Sequence, residues 1–477
     1  MSRRVHFVSL GCPKNQVDSE VMLGLLGNAK YDVVPDADDA NIIIVNTCAF
    51  IEQSKQESID TILEMAKHKE NGKCDTLVVT GCLAQRYPEE LAKELPEVDQ
   101  FLGTGNYPEI VSVLQKREEG LGLAPRTMVG VPDFAGSSTL PRARTQPIFS
   151  QYLKVSEGCS NKCTFCIIPK LRGLQKSRTV EDLVAEATKL AEQGCTELNL
   201  VGQDLTAYGF DLPGKPKLTV LLEALSAIEG IRWIRLLYAY PRTFNAELMT
   251  YMATAPKILP YIDMPLQHIA DDVLRSMRRG KAEAGTKLLL DKLKERLPEL
   301  VIRTTFIVGY PGETDAHFET LYEFVKQYEF DRVGVFTYSQ EDGTPASELG
   351  DQVPHEVALE RQSRLMKLQQ KISKKKLRAL KGKTIEVLVE GTSEETDLLL
   401  QGRYYGQAPE IDGCVLINDG TANPGDYVKV KITQIGDYDV VGKIVGVVQK
   451  ARHDASAVAP VSNPTVGGLR SSLPILS

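Results

Sequence analysis

The stretch Glu157-Gly158-Cys159-Ser160-Asn161-Lys162-Cys163-Thr164-Phe165-Cys166 decides how this chain is read. Its three cysteines, spaced Cys-x3-Cys-x2-Cys, follow directly on a β-like run, Tyr152 to Ser156. Three thiolates in so short a loop can hold three irons of a 4Fe–4S cluster and leave the fourth open. An open iron is a place for a substrate or cofactor, which points to chemistry rather than electron storage alone. The alternative is a structural zinc site, which wants four closed ligands, commonly as two Cys-x2-Cys-like pairs. Neither Cys nor His follows nearby; Ile167-Ile168-Pro169 does.

Outward from this loop, residues 151 to about 345 alternate strand-like and helical patterns. Strands are expected at Tyr152–Ser156, Glu197–Val201, Trp233–Tyr238, Leu259–Met264, Val301–Val308 and Arg332–Tyr338. Six βα units close most, not all, of a (β/α)8-like barrel, whose chemistry belongs at the C-terminal ends of its strands. The cysteine loop is at such an end. Before it, residues 1–140 repeat the βαβ rhythm on a smaller scale, with runs Val5–Leu10, Ile42–Val45 and Leu77–Val79, and predict a small parallel α/β domain. Residues 132–147, rich in Pro, Gly and Ser, read as a linker, and 148–380 as the barrel with a trailing helix. That helix, 355–381, carries Lys371, Lys374, Lys375, Lys376 and Lys381, expected as a solvated face. Five short alternating runs over 382–448 fit a small OB-like β-barrel, and 451–477 reads as a disordered tail.

At 477 residues the chain needs more than one core. A hydrophobic content of 42% with 25% charged residues is a globular balance. Without a membrane-length apolar run or a leader-like start, a cytoplasmic location is expected and no membrane partner. Nine cysteines, an odd number, argue for metal or catalysis over a disulfide framework. The net charge of −7 does not announce a nucleic-acid binder.

A second cysteine set lies in the N-terminal segment. Cys12, Cys48 and Cys82 each come just past the C-terminal end of a β-like run. In a parallel sheet those ends share one edge, where ligand sites in open α/β sheets occur. Cysteines more than thirty residues apart are therefore expected to converge, again as three thiolates of a cluster with one open iron. Unrelated buried cysteines are the alternative. Cys74 precedes its strand and belongs at the opposite edge; Cys195 and Cys414 read as small core residues.

The Cys159–Cys166 loop resembles that of the radical S-adenosylmethionine (SAM) enzymes. The resemblance implies that Cys159, Cys163 and Cys166 are catalytic. Their cluster's open iron would chelate the amino and carboxylate groups of SAM, and an electron would split SAM into methionine and a 5′-deoxyadenosyl radical. It further implies Phe165 near the adenine, Gln203 and Asp204 of Val201-Gly202-Gln203-Asp204 near the methionine amino group, and Gly309 and Glu313 of Ile307–Glu313 near the adenosyl group. The Gln203-Asp204 pair departs from the commoner Gly-Gly-Glu of that family. His268, ending another strand, either faces the cavity or is an ordinary hydrogen-bonded histidine.

An auxiliary three-cysteine domain, a radical SAM barrel and a final TRAM-like barrel, in that order, are similar to the methylthiotransferase family, to about residue 448. The resemblance implies two 4Fe–4S clusters, with Cys12, Cys48 and Cys82 holding the sulfur-delivering one. It implies two SAM molecules per turnover, an electron donor and a sulfur source. Members modify either tRNA adenosines or an aspartate β-carbon of small-subunit ribosomal protein twelve. Between Gly382 and Gly446 five bases face eleven acids, a net −6, which would repel tRNA and attract a basic protein. Ser9–Glu20, Cys166-Ile167-Ile168-Pro169-Lys170 and Ala408–Gly413 resemble the ribosomal-protein branch. That substrate, free or on the ribosome, is expected, with tRNA adenosine as the alternative.

Overall fold

The computed structural model describes residues 3–119 and 126–451. The tail expected over 451–477 lies, apart from Ala451, outside the described residues.

The N-terminal sheet has six strands in the order Asp32–Val33, Arg4–Ser9, Ile42–Thr47, Thr76–Gly81, Gln100–Leu102 and Thr127–Met128. All its pairings are parallel. Ile42–Thr47 and Thr76–Gly81 are buried along their whole lengths, as strands covered on both faces must be. The pairings Ser9 with Asn46 and Thr47 with Gly81 align the ends from which Cys12, Cys48 and Cys82 emerge. Sequence periodicity gave no sign of the helix Pro13–Asn28, whose polar residues Lys14, Asn15, Asp18, Ser19 and Glu20 are buried. Its start is nonetheless written locally, since Pro13 at the first helical position has its φ already set.

In the central domain six parallel strands follow in chain order: Ser150–Lys154, Glu197–Val201, Trp233–Leu236, Ile258–Asp263, Val301–Val308 and Arg332–Thr337. Side chains alternate along each strand. Leu153, Leu198, Ile234, Ile262, Ile302 and Val333 join the helices in the large core. Their neighbours Lys154, Glu197, Arg235, Asp263, Arg303 and Arg332 face the other way, so the inner surface of the partial barrel is charged.

The C-terminal domain is a closed five-stranded barrel of Thr384–Thr392, Leu400–Arg403, Val415–Asp419, Tyr427–Ile435 and Val440–Gln449. Its loop after Arg403 reaches into the charged inner surface of the central domain. Asp412 accepts from Tyr261 Oη at 2.7 Å and lies 3.8 Å from both Arg303 and Arg332. Arg403 donates to Glu197 Oε2 at 2.7 Å.

The structure makes three expectations more specific. Five of the eleven acids of the last domain are committed to ion pairs within the protein. Glu386 pairs with Arg232, Glu390 with Arg403, Asp426 with Lys450 and Asp437 with Lys374, while Asp412 faces two arginines. The net −6 therefore overstates the charge left to attract a basic protein. The lysine-rich helix His355–Arg378 presents the expected solvated face, with Lys371, Lys374 and Lys375 exposed, and that face also ties the last two domains together: Lys374 binds Asp437, Lys375 binds Glu329 and Lys376 binds Asp331. The linker is pinned as well, with Phe134, Leu140 and Ala143 packed on the N-terminal core and Arg142 held between Glu20 and Glu186.

Candidate active site

One thiol triad sits at the strand ends of the N-terminal sheet and the other at the first strand end of the partial barrel. Cys12 caps the helix Pro13–Asn28, Cys48 follows Ile42–Thr47, and Cys82 opens the short helix Cys82–Arg86. Gly11 has φ +96°, and a Cβ there would come 3.0 Å from Cys48 Cβ and 3.3 Å from its sulfur. Only glycine lets the Cys12 turn close on Cys48. Burial, then the charges of Cys82 and Cys12, push the Cys48 thiol up to about 12. Burial also raises Cys82 against the opposing charge of Arg172. Burial opposes ionisation of Cys12 too, but Lys14 and Arg172 bring its thiol below the ordinary value. Cys74, Cys195 and Cys414 lie outside this triad: Cys74 donates to Thr76 O, Cys195 to Glu197 O, and Cys414 feels Asp439.

The second triad folds around its own loop. Cys159 N–H donates to Gly173 O at 3.1 Å and Cys166 N–H to Cys163 O at 3.2 Å. Burial, then the charges of Cys163 and Cys159, raise the Cys166 thiol to about 12. Burial, Asp204 and Cys163 raise Cys159. Arg279 Nη1 lies 3.5 Å from Cys163 Sγ. Each triad is thus a set of buried and half-buried thiols that repel one another once ionised, and a polycationic cluster binding one iron per thiolate removes that repulsion. The donor set fits such a cluster. Among the described residues no three His, Cys, Asp or Glu side chains are grouped to share a single metal ion.

Between the triads runs a buried charge network. Arg172 Nη1 donates to Asp18 Oδ2 at 2.7 Å and Glu157 Oε2 at 2.9 Å, and its Nη2 to Asn15 Oδ1 at 2.9 Å. Lys154 binds the same two carboxylates. Burial opposes it, but Arg172 and Lys154 draw the Glu157 carboxyl down to about 2. Glu157 in turn accepts from Gln203 Nε2, so a chain of charges joins the Cys12–Cys82 side to the barrel's strand ends. Nothing in the sequence pattern points to this network. Its members look like ordinary surface charges until two domains bury them together.

The expected SAM contacts separate into two kinds. Among the described residues Gln203 Oε1, Ser156 Oγ and Gln267 Oε1 are buried polar atoms without a hydrogen-bond partner, each past the C-terminal end of a barrel strand. Unmet acceptors there suit a polar ligand. A Cβ at Gly202 would lie 2.6 Å from Ser156 Oγ, so glycine keeps that hydroxyl accessible. Asp204 is different. It accepts from Asn161 Nδ2 and Thr206 Oγ1, both at 2.7 Å, and braces the cysteine loop. Glu313 is also committed inward, accepting from Gly309 N–H, meeting His268 Nε2 at 3.2 Å and Arg361 Nη1 at 3.1 Å. His268 is fully buried in this network. Gly309 has φ +75°, and a Cβ there would lie 2.5 Å from Ala358 Cβ, so helix packing already demands glycine. Phe165 packs against the buried cluster of Ala270, Val273, Met277, Tyr310 and Ala346, on which Ile307 also packs.

Comparison with known proteins fits this architecture. Residues 153–325 match the model of the Radical SAM superfamily, 4–103 that of "Uncharacterized protein family UPF0004", and 382–445 that of the TRAM domain. In fold the chain resembles a radical S-adenosylmethionine methyltransferase, TsrM, from Kitasatospora setae, solved with cobalamin and a [4Fe-4S] cluster. The TM-score is 0.53 at 15% identity, over 72% of this chain and 74% of that one. A partial parallel barrel with a three-thiol loop at its first strand end defines a radical SAM enzyme. Ribosomal protein uS12 methylthiotransferase RimO of Myxococcus xanthus is 54% identical over 93% of this chain and 92% of its own length. The protein of the same name from Anaeromyxobacter sp. strain K is 53% identical over 97% and 96%. The chain belongs to the RimO family of radical SAM methylthiotransferases. Its cofactors are 4Fe–4S clusters and SAM. Among the described residues no helix is long and apolar enough to cross a membrane.

Proposed function

We propose that this chain methylthiolates the β-carbon of an aspartate in small-subunit ribosomal protein twelve. The supporting observation is the pair of thiol triads joined by the Asp18–Lys154–Glu157–Arg172 network, in a chain whose relatives carry that activity in their names. Cys159, Cys163 and Cys166 hold one cluster, and Cys12, Cys48 and Cys82 the other. When bound, the clusters and SAM supply radical abstraction of an unactivated hydrogen and the sulfur and methyl groups, which no side-chain base could provide. The protein's own residues position and insulate. Gln203 and Ser156 offer acceptors to the SAM amino group, and Phe165 offers an apolar wall to the adenine. Lys14 and Arg172 hold Cys12 ready to ligate as thiolate. Asp18, Lys154, Glu157 and Arg172 lock the two triads at a fixed separation. Residues 1–140, 148–380 and 382–448 are its three working domains.

The test is anaerobic incubation with SAM, a reductant, a sulfur source, small ribosomal subunits and bulk tRNA, followed by mass spectrometry of proteins and nucleosides. A methylthio increment on the aspartate peptide alone is expected; an increment on adenosine alone would overturn the substrate assignment. In parallel, Cys48→Ala should bind about half the iron of the parent, and Cys74→Ala the full amount.

A further inference from the structure

A cavity of 660 Å³ opens beside the cysteine loop, lined by Ser160, Asn161 and Lys162 of that loop and by the turns after Tyr240 and Asp271. It is a cationic place on an acidic chain of net charge −7. Lys162, Arg242, Arg275, Arg278 and Lys281 all line it. Only Arg275 has an ion-pair partner among the described residues, Asp272 at 2.7 Å; Lys162, Arg242, Arg278 and Lys281 have none. Lysines and arginines elsewhere in this protein are extensively paired, as the inner face of the barrel and the long helix show. Burial and the charge of Lys292 lower the Lys281 ammonium, the mark of a cation short of counter-charge. Arg278 takes the left-handed backbone, φ +54°, that closes the helix Asp271–Ser276. Its neighbour Arg279 donates to Cys163 Sγ at 3.5 Å, so the basic rim and the thiol triad are one residue apart.

We infer that this basic cavity docks an acidic, one-electron carrier protein that reduces the cluster held by Cys159, Cys163 and Cys166. The inference rests on the reading of that triad as the SAM-cleaving site. No lining residue comes from the N-terminal domain, which carries Cys12, Cys48 and Cys82. The cavity is, however, next to Cys163 through both Lys162 and Arg279. A carrier seated there gives up one electron and the cluster gains it; no proton or atom need move. Unpaired cations around the port would draw an acidic carrier in and orient it.

The experiment compares the parent protein with an Arg242→Glu/Lys281→Glu double variant, both residues lying off the cysteine loop. Binding of oxidised flavodoxin, an acidic flavin protein, is titrated at low and high salt. SAM cleavage is then followed with reduced flavodoxin and separately with dithionite. Binding should weaken at least tenfold at low salt, with the difference vanishing at high salt. Cleavage should fall with flavodoxin and stay at the parent rate with dithionite. An equal fall with dithionite would assign the cavity to SAM itself and overturn the proposal. Unchanged flavodoxin affinity would overturn it too, as would weakened binding of small ribosomal subunits in its place. Failure of the parent to cleave SAM with dithionite would instead refute the reading of the cysteine loop.

Discussion

Gln203 and Asp204 are adjacent in sequence and sit at one strand end, yet they do different work. Gln203 turns its amide nitrogen to Glu157 and leaves a buried oxygen unmet, while Asp204 has spent its oxygens on Asn161, Thr206 and the Ala207 N–H. A hydrogen bond to a charged group contributes about 1.5–3 kcal/mol. Gln203→Ala should therefore weaken SAM binding roughly tenfold to a hundredfold while cluster content stays constant. Asp204→Ala should release Asn161 and lower the iron bound by the cysteine loop. Equilibrium SAM binding alongside iron and sulfide analysis separates the two; loss of iron in the Gln203 variant would refute its assignment. The cysteines were legible from sequence because loop spacing and strand ends are local facts. Arg172 and Lys14 were not, because a buried basic residue and a surface one look alike until the partner domain covers them.

Among elements, the strand Glu197–Val201 carries an ion cluster that joins two domains. Glu197 is fully buried and receives Arg403 from the C-terminal barrel and Arg235 from the next strand. Burial works against ionisation, but these two guanidinium groups draw its carboxyl down to about 2. A depressed carboxyl stabilises the fold fully above the unfolded-state value of about 4.3. That contribution, on the order of 3 kcal/mol, fades as pH falls toward the folded-state value. Urea midpoints should therefore drop more steeply for the parent than for Glu197→Gln between pH 5 and 3; parallel slopes would show that the pair carries no such linkage. The strands themselves were readable from their apolar runs. The helix Pro13–Asn28 was not, because five of its buried residues are polar and their partners lie in other elements.

For the molecule as a whole, the segment after Arg403 acts as a plug. Its Asp412 joins Tyr261, Arg303 and Arg332 on the inner face of the central strands, and its Ala408 N–H donates to the same carboxylate at 2.9 Å. Removing one member of a buried charge group typically costs 3–5 kcal/mol. Asp412→Ala should free the C-terminal barrel from the central domain and split a single unfolding transition into two, with early cleavage near residues 404–413 on limited proteolysis. One unaltered transition would place the docking energy elsewhere.

Sequence by itself determined the order of the three domains, the strand-end positions of both cysteine triads and the family, because these depend on local spacing and on which runs are apolar. Tertiary structure alone decided where the charges go. It spent five acids of the last barrel, Glu386, Glu390, Asp412, Asp426 and Asp437, on arginines and lysines of the protein itself. It buried Arg172 between two triads and left four cations unpaired beside one of them. The reason is physical. A charge is worth what its partner and its dielectric make of it, and for Arg172 the partner Asp18 lies 154 positions away.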